Sequence, residues 1–386
     1  MNTEFVSSDP LRIKCYQQRL AATRQRMKQD GIELLVAYGN GRHSFVGTNP
    51  AWWLSGFKQM GPHMAVLVTL DAEPFVVITP RWDEERASER SVFRQLAACD
   101  PQDFADTMKG VIAKRGLGRA RMSVAGGLQM PRAIAEGWRE ILGSAAGDAD
   151  LIFTELARPR DEWSLKCTRA AVAIAEQGYE HLLATARPGM YEHVVAAELE
   201  TYLRGLGAED NFQLLSASQH NRSVHMPTNR ILEDGDVLLG EITPAVEGEY
   251  IQICRTAVFG EPTELQRAKF ALLDSALRAG MAAAKPGVPV ADVVQAINRP
   301  ISAAGYAKYT VPPYMRTRGH SMSLGSMDPE IATSCQSVFE KNSVFVMHPN
   351  QYLPDTGYFM CGEPVIITDA GAQPLTSRMG ELGSII

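Results

Sequence analysis

At 386 residues the chain is long enough for two domains of ordinary size. With 45% hydrophobic and 21% charged residues it has the composition of a soluble globular protein, and a formal charge of −6 leaves no basic footprint for nucleic acid. No apolar run approaches the roughly 20 residues that span a bilayer, the N-terminus MNTEFVSSDPLRIKCYQQRL lacks the order of a signal peptide, and six cysteines without CxxC spacing indicate neither disulfides nor a zinc cluster; a cytoplasmic protein with no membrane partner is expected.

Residues 9 to 30 read as an amphipathic helix stopped by Gly31, followed by the apolar strand Glu33 to Tyr38. Past Trp52, Trp53 and Gly56, the runs Met64 to Leu70 and Phe75 to Thr79 are joined through Asp71 to Pro74 as a hairpin. Helical patterns at 101 to 115 and 130 to 143 alternate with strands at 121 to 125 and 150 to 154. This alternation predicts an α/β domain over residues 1–157. Asp161-Glu162 then opens a long helix to Thr185, and a second helix runs from Tyr191 to Leu206, with Gly207 as its C-cap. The phrase Ala186-Arg-Pro-Gly189 followed by Val194-Val195 recurs 98 residues later as Ala284-Lys-Pro-Gly287 followed by Val293-Val294, again between helical segments. Residues 158–386 are therefore expected to form two duplicated halves, each a helix pair followed by strands, with a cleft between them.

Between the two copies lies a loop with His225, a turn at Asp234-Gly235-Asp236, an apolar run Val237 to Thr243, a turn at Glu247-Gly248 and a run Tyr250 to Phe259. Glu241 falls in the middle of the first run. A buried carboxylate is costly unless it is paired, protonated or bound to a ligand. It is expected either to face a substrate or to form a buried ion pair with Arg255 or a histidine. Four of the eight histidines, His220, His225, His320 and His348, also fall in this half.

The stretch from Asn221 to Glu261 resembles the core of the creatinase/prolidase/methionine aminopeptidase family, the pita-bread fold. Glu241 and Gln252, eleven residues apart, stand where metallopeptidase members of that family have two metal-binding aspartates. Gly319-His320 fits its Gly-His motif, His348-Pro349 its Glu-Pro, and Gly362 or Cys361, beside Glu363, its last glutamate. The resemblance implies an α/β N-terminal domain and an α+β pita-bread C-terminal domain with pseudo-twofold halves. The segment VHMPTNR resembles that around the catalytic histidine of creatinases, and Glu241-Ile242 resembles ectoine hydrolases; both are non-peptidase branches. The segment WLSGF resembles one that covers the partner subunit's active site, which implies a homodimer.

The expected function is hydrolysis of a C–N bond in a small amidine-, guanidine- or amide-like metabolite. His225, Glu241, His320 and His348 are the catalytic candidates, and Gln252, Cys254, Arg255 and Glu363 the substrate-binding ones. A neutral imidazole can move a proton near pH 7, and a carboxylate can hold or attack a cationic carbon. No cofactor is expected; the alternative is one divalent Mn, Fe or Zn on Glu241, His320 and His348. The rival functions are a one-metal peptidase of Xaa-Pro type and a binding module without catalysis, as in histone-chaperone relatives of this fold.

Overall fold

The computed structural model describes residues 8–41, 48–142, 147–324 and 326–386. Residues 1–7, the close of the helix expected to reach residue 143, and Gly325 lie outside the described residues. The chain divides into two compact units, Met1–Trp163 and Ser164–Ile386. Among the described residues no helix is long and apolar enough to cross a membrane.

The first unit is built on a six-stranded sheet of β1 (Leu34–Asn40), β2 (His63–Thr69), β3 (Phe75–Ile78), β4 (Gln95–Ala98), β5 (Met122–Ala125) and β6 (Gly147–Asp148), ordered β4-β3-β2-β1-β5-β6. Helix α1 (Pro10–Asp30) starts where the Asp9 carboxylate accepts from Leu11 N and ends at Gly31, whose φ of 69° suits the left-handed cap. Helices α2 (Pro50–Ser55), α3 (Glu84–Arg90), α4 (Phe104–Lys114), α5 (Arg132–Leu142) and α6 (Asp150–Ala157) complete it. The strand expected at 150 to 154 is thus a helix. Its run Leu-Ile-Phe reads as β, but Ile152, Phe153 and Ala157 are buried while Leu151 is exposed, a one-sided helical pattern, and Phe153 packs edge-on against Trp53 at 5.8 Å.

The second unit repeats one plan. Helices α7 (Glu162–Thr185) and α8 (Glu192–Gly205) precede β7 (Asp210–Ser218), β8 (Val237–Val246), β9 (Glu249–Tyr250) and β10 (Ile253–Phe259). Helices α9 (Glu264–Ala283) and α10 (Val290–Ile301) precede β11 (Gly319–Ser321), β12 (Val344–Met347), the hairpin β13 (Gln351–Leu353) and β14 (Gly357–Phe359), then β15 (Glu363–Thr368), β16 (Gly371–Pro374) and β17 (Gly383–Ile385). The sheets run β17-β10-β8-β7 and β11-β12-β15-β16. The repeated phrase marks equivalent turns between the helices of each pair. Gly189 N donates to Leu232 O and Gly287 N to Phe339 O, both at 2.8 Å, and both glycines have positive φ, 90° and 81°. Bridges Tyr191 to Ile231 and Pro289 to Val338 repeat the same contact.

The two sheets meet at a seam. Cys254 and Gly362 exchange backbone hydrogen bonds of 3.1 and 3.2 Å, and Thr256 Oγ1 both donates to Met360 O and accepts from Met360 N at 2.8 Å. Beside them the buried Arg255 guanidinium lies 3.0 Å from the Glu363 carboxylate and donates to Gly362 O at 2.7 Å. Glu363 also accepts from Thr376 Oγ1 and Gly380 N, both at 2.7 Å. Removing one member of such a pair strands a buried charge. Glu363→Gln is therefore expected to cost about 3–5 kcal/mol in urea unfolding, and a loss below about 1 kcal/mol, typical of exposed pairs, would show that the seam does not rest on this pair.

Candidate active site

The hairpin of β8 and β9 turns on two residues, Glu247 and Gly248, with φ of 50° and 80°, the conformation that suits a tight antiparallel turn. That turn sets the register, so Cys254 stands directly opposite Glu241. Leu238 and Ile242 of β8 belong to the core under α7 and α8. By alternation Glu241 faces the opposite side, as do Cys254 and Gln252 on the facing chain. Arg255 faces α7, with its guanidinium 5.8 Å from the Tyr179 ring centre. The ion pair considered between Glu241 and Arg255 is therefore not formed, and Arg255 pairs with Glu363 instead.

Burial pushes the Glu241 carboxyl up to about 7, against the opposing pull of the Arg316 guanidinium. Cys254 is buried next to it, and burial followed by the Glu241 charge holds its thiol protonated. Gln252 is buried with Nε2 3.4 Å from Cys254 Sγ, and its Oε1 meets no hydrogen-bond partner among the described residues. Beyond Cys254 comes Gly362. A Cβ there would lie 2.6 Å from His348 Cβ and 3.0 Å from Cys254 Cβ, so only glycine lets the two side chains come together.

His348 and His320 end this row, their rings 5.4 Å apart at 67°. Burial lowers His320, and burial together with His320 and Arg318 lowers His348 to about 3, so both are neutral near pH 7. His320 Nδ1 lies 3.0 Å from Ser321 O. A carbonyl only accepts, so Nδ1 carries the proton and Nε2 presents a lone pair. His348 Nδ1 is buried without a hydrogen-bond partner among the described residues. An orphan of this kind costs about 1–3 kcal/mol and marks a place for a ligand atom.

His225 is not brought into this row. It is exposed on its loop, with Nδ1 2.7 Å from Met226 O and its own carbonyl accepting from Leu215 N at 3.2 Å. The loop is tied down by the buried Glu192, whose carboxylate accepts from Ala217 N, Thr228 N and Thr228 Oγ1. Three residues that sequence reasoning passed over do join the site. Tyr358 of β14 is buried within electrostatic reach of Arg316, Glu241 and Cys254, and burial keeps its phenol protonated. Arg316 brings the nearest positive charge to Glu241. Arg318 is fully buried on neutral acceptors, Asn298 Oδ1 at 2.8 Å and Gln351 Oε1 at 2.9 Å, and burial lowers it to about 10. Arg318 sits one residue before the Gly-His pair, yet nothing local marks the other two.

A two-metal centre needs bridging carboxylates, and these residues do not supply them. Gln252 is a neutral amide turned toward a thiol, Gly362 has no side chain and no room for one, and His348 is held without its proton by burial rather than by a negative neighbour. Among the described residues no group of three or more His, Cys, Asp and Glu side chains could hold a metal ion, and Glu241, His320 and His348 do not converge as one.

The sequence model of metallopeptidase family M24 matches residues 166–369. An uncharacterized peptidase, YqhT, of Bacillus subtilis is 26% identical over 222 residues, 56% of this chain and 62% of that protein. The Xaa-Pro dipeptidase of Pyrococcus furiosus is 25% identical over 237 residues, 60% of this chain and 67% of that protein. The match thus spans only part of the relatives' length. Among solved structures, the X-Pro aminopeptidase from Thermotoga maritima superposes with a TM-score of 0.81 at 19% identity, covering 94% of this chain and 98% of the other. The prolidase from Pyrococcus horikoshii does so with a TM-score of 0.78 at 18% identity, covering 95% and 99%. These relatives carry peptidase names, so placement in the creatinase or ectoine hydrolase branches rests on the motifs alone.

The raised Glu241 carboxyl has a direct consequence for stability. Its folded value of about 7 lies above the ordinary 4.5, so its contribution is fully favourable below about 4.5 and is lost as pH rises through 7. Glu241→Gln should match the wild type at pH 4.5 and be more stable at pH 8 by up to about 3 kcal/mol in urea unfolding. A variant less stable at pH 8 would mean that Glu241 is held by an ion pair.

Proposed function

The chain belongs to metallopeptidase family M24, with the pita-bread fold of its structural neighbours, and from that premise we propose that it hydrolyses a C–N bond in a small amide-, amidine- or guanidine-like metabolite without a two-metal centre. The observation that carries this reading is a half-buried carboxyl poised at about 7, in a row with two imidazoles kept neutral and beside the neutral side chains of Gln252 and Cys254.

In this reading ionised Glu241 takes a proton from a water lying against Cys254, and the lone pair of His320 Nε2 orients that water. The oxygen adds to the carbon of the C–N bond. The protonated phenol of Tyr358 donates to the heteroatom on which negative charge develops. Polar groups of the substrate satisfy the unpartnered His348 Nδ1 and Gln252 Oε1, with a substrate N–H donating to the amide oxygen. The Glu241 carboxylic acid then returns its proton to the leaving nitrogen as the C–N bond breaks. The same reading takes a symmetric homodimer as the working form.

A second reading, a metallopeptidase of Xaa-Pro type, is favoured by the names of the relatives, which support it better than they support a small-metabolite hydrolase. The two part on assay. Ammonia or urea release from small amides and amidines should persist in chelator, with kcat/KM rising through pH about 7 and no second ionisation from His320 or His348 above pH 6.5. Glu241→Gln should lower kcat by about 10²- to 10⁴-fold. Cleavage of Xaa-Pro dipeptides that appears only on adding Mn, Fe or Zn would overturn the proposal and establish the second reading.

A further inference from the structure

The segment between α10 and β11 carries Tyr309 and Tyr314, which no step above uses. Their ring centres are 4.9 Å apart, and each lies 6.2 Å from the ring of Tyr352 in β13, with Tyr314 and Tyr352 within 19° of parallel. Tyr314 is 37% exposed and the other two are half-buried, so rings from two separate chain segments form one aromatic surface open to solvent. The surface is held in place: Gln351 Nε2 donates to Tyr309 O at 2.9 Å, and the Tyr352 hydroxyl lies 3.2 Å from His220 Nε2.

Register connects this surface to the reacting groups. Tyr352 stands directly opposite Tyr358 in the β13–β14 ladder. Residues so paired share a face, with Cβ atoms about 5 Å apart, and the Tyr358 phenol is within electrostatic reach of Glu241. From the other side, Arg316 follows Tyr314 by two residues and places its charge near both Glu241 and Tyr358. It is exposed, and among the described residues it forms no ion pair, unlike Arg255 and Arg230, which have Glu363 and Asp236. A substrate whose C–N bond lies at Glu241 would therefore extend past Tyr358 onto three phenol rings and an unpaired guanidinium. An aliphatic chain would use neither the ring faces nor the charge, and a cationic group would be repelled by Arg316.

Resting on the hydrolytic reading above, we infer that Tyr309, Tyr314 and Tyr352 form a subsite that stacks a planar aryl group of the substrate, with Arg316 pairing an anionic substituent on that group. The test is a binding measurement that does not depend on turnover. Isothermal titration uses 3-phenylpropionate, 3-cyclohexylpropionate and 3-phenylpropanamide against the wild type, Tyr314→Leu, Arg316→Gln and Glu241→Gln. Leucine keeps the apolar bulk and removes the ring, so a folding defect is not confused with a lost stack. In the wild type the phenyl acid should bind about 3- to 10-fold more tightly than the cyclohexyl acid, the range of an aromatic pair beyond its buried area, and about tenfold more tightly than the amide. Tyr314→Leu should erase the first preference only, Arg316→Gln the second only, and Glu241→Gln neither. Those preferences in a protein that turns over no amide would uphold the subsite while the hydrolytic reading falls. Equal binding of the phenyl and cyclohexyl acids, a preference unchanged in Tyr314→Leu, or no binding of any probe at millimolar concentration would overturn the inference.

Discussion

The site depends on the place where two sheets touch through the backbones of Cys254 and Gly362. Strands β8 and β10 hold Glu241, and β11 and the segment after β12 hold the histidines; without the seam these groups belong to separate layers. The approach is close enough that a methyl group on residue 362 would collide with His348 and Cys254. That one glycine therefore lets the halves close. The pair of Arg255 and Glu363 locks the same seam from the helix-covered side of β10.

The electrostatics follow from that closure. Packing one sheet against the other withdraws Glu241, Cys254, His320, His348 and Tyr358 from water, and in each the charged form is disfavoured. Cationic Arg318 stands behind the histidines with no carboxylate partner among the described residues, which adds to the cost of protonating His348. Of these five, Glu241, with Arg316 near it, is the one whose value of about 7 lets it change charge at neutral pH. A site with a single group of that kind is suited to passing one proton back and forth.

Much of this was legible in the chain. The repeated Ala-Arg/Lys-Pro-Gly phrase marks equivalent turns because a positive φ after a proline needs glycine in both halves. Glu241 announced itself as a charge in an apolar strand. The residue across from it could be counted too, because a two-residue turn at Glu247-Gly248 puts Cys254 directly opposite Glu241 and Gln252 two residues before it. Tyr358 and Arg316 could not, because they arrive from a hairpin and a loop more than fifty residues beyond the strand they face. His225 had the strongest local motif, yet its loop leaves it in solvent. The helix at Asp150–Ala157 was hidden by a three-residue apolar run that suits either structure.

The central claim is that one carboxyl, Glu241, titrates near neutrality while the two histidines beside it do not. A carbon-detected NMR titration of the glutamate side chains, with Glu241 assigned from Glu241→Gln, tests this most directly. An apparent pKa near 7 for Glu241, with the His320 and His348 rings neutral at pH 7, is the predicted result. A Glu241 value between 4 and 5, or either histidine gaining its proton above pH 6.5, would contradict it.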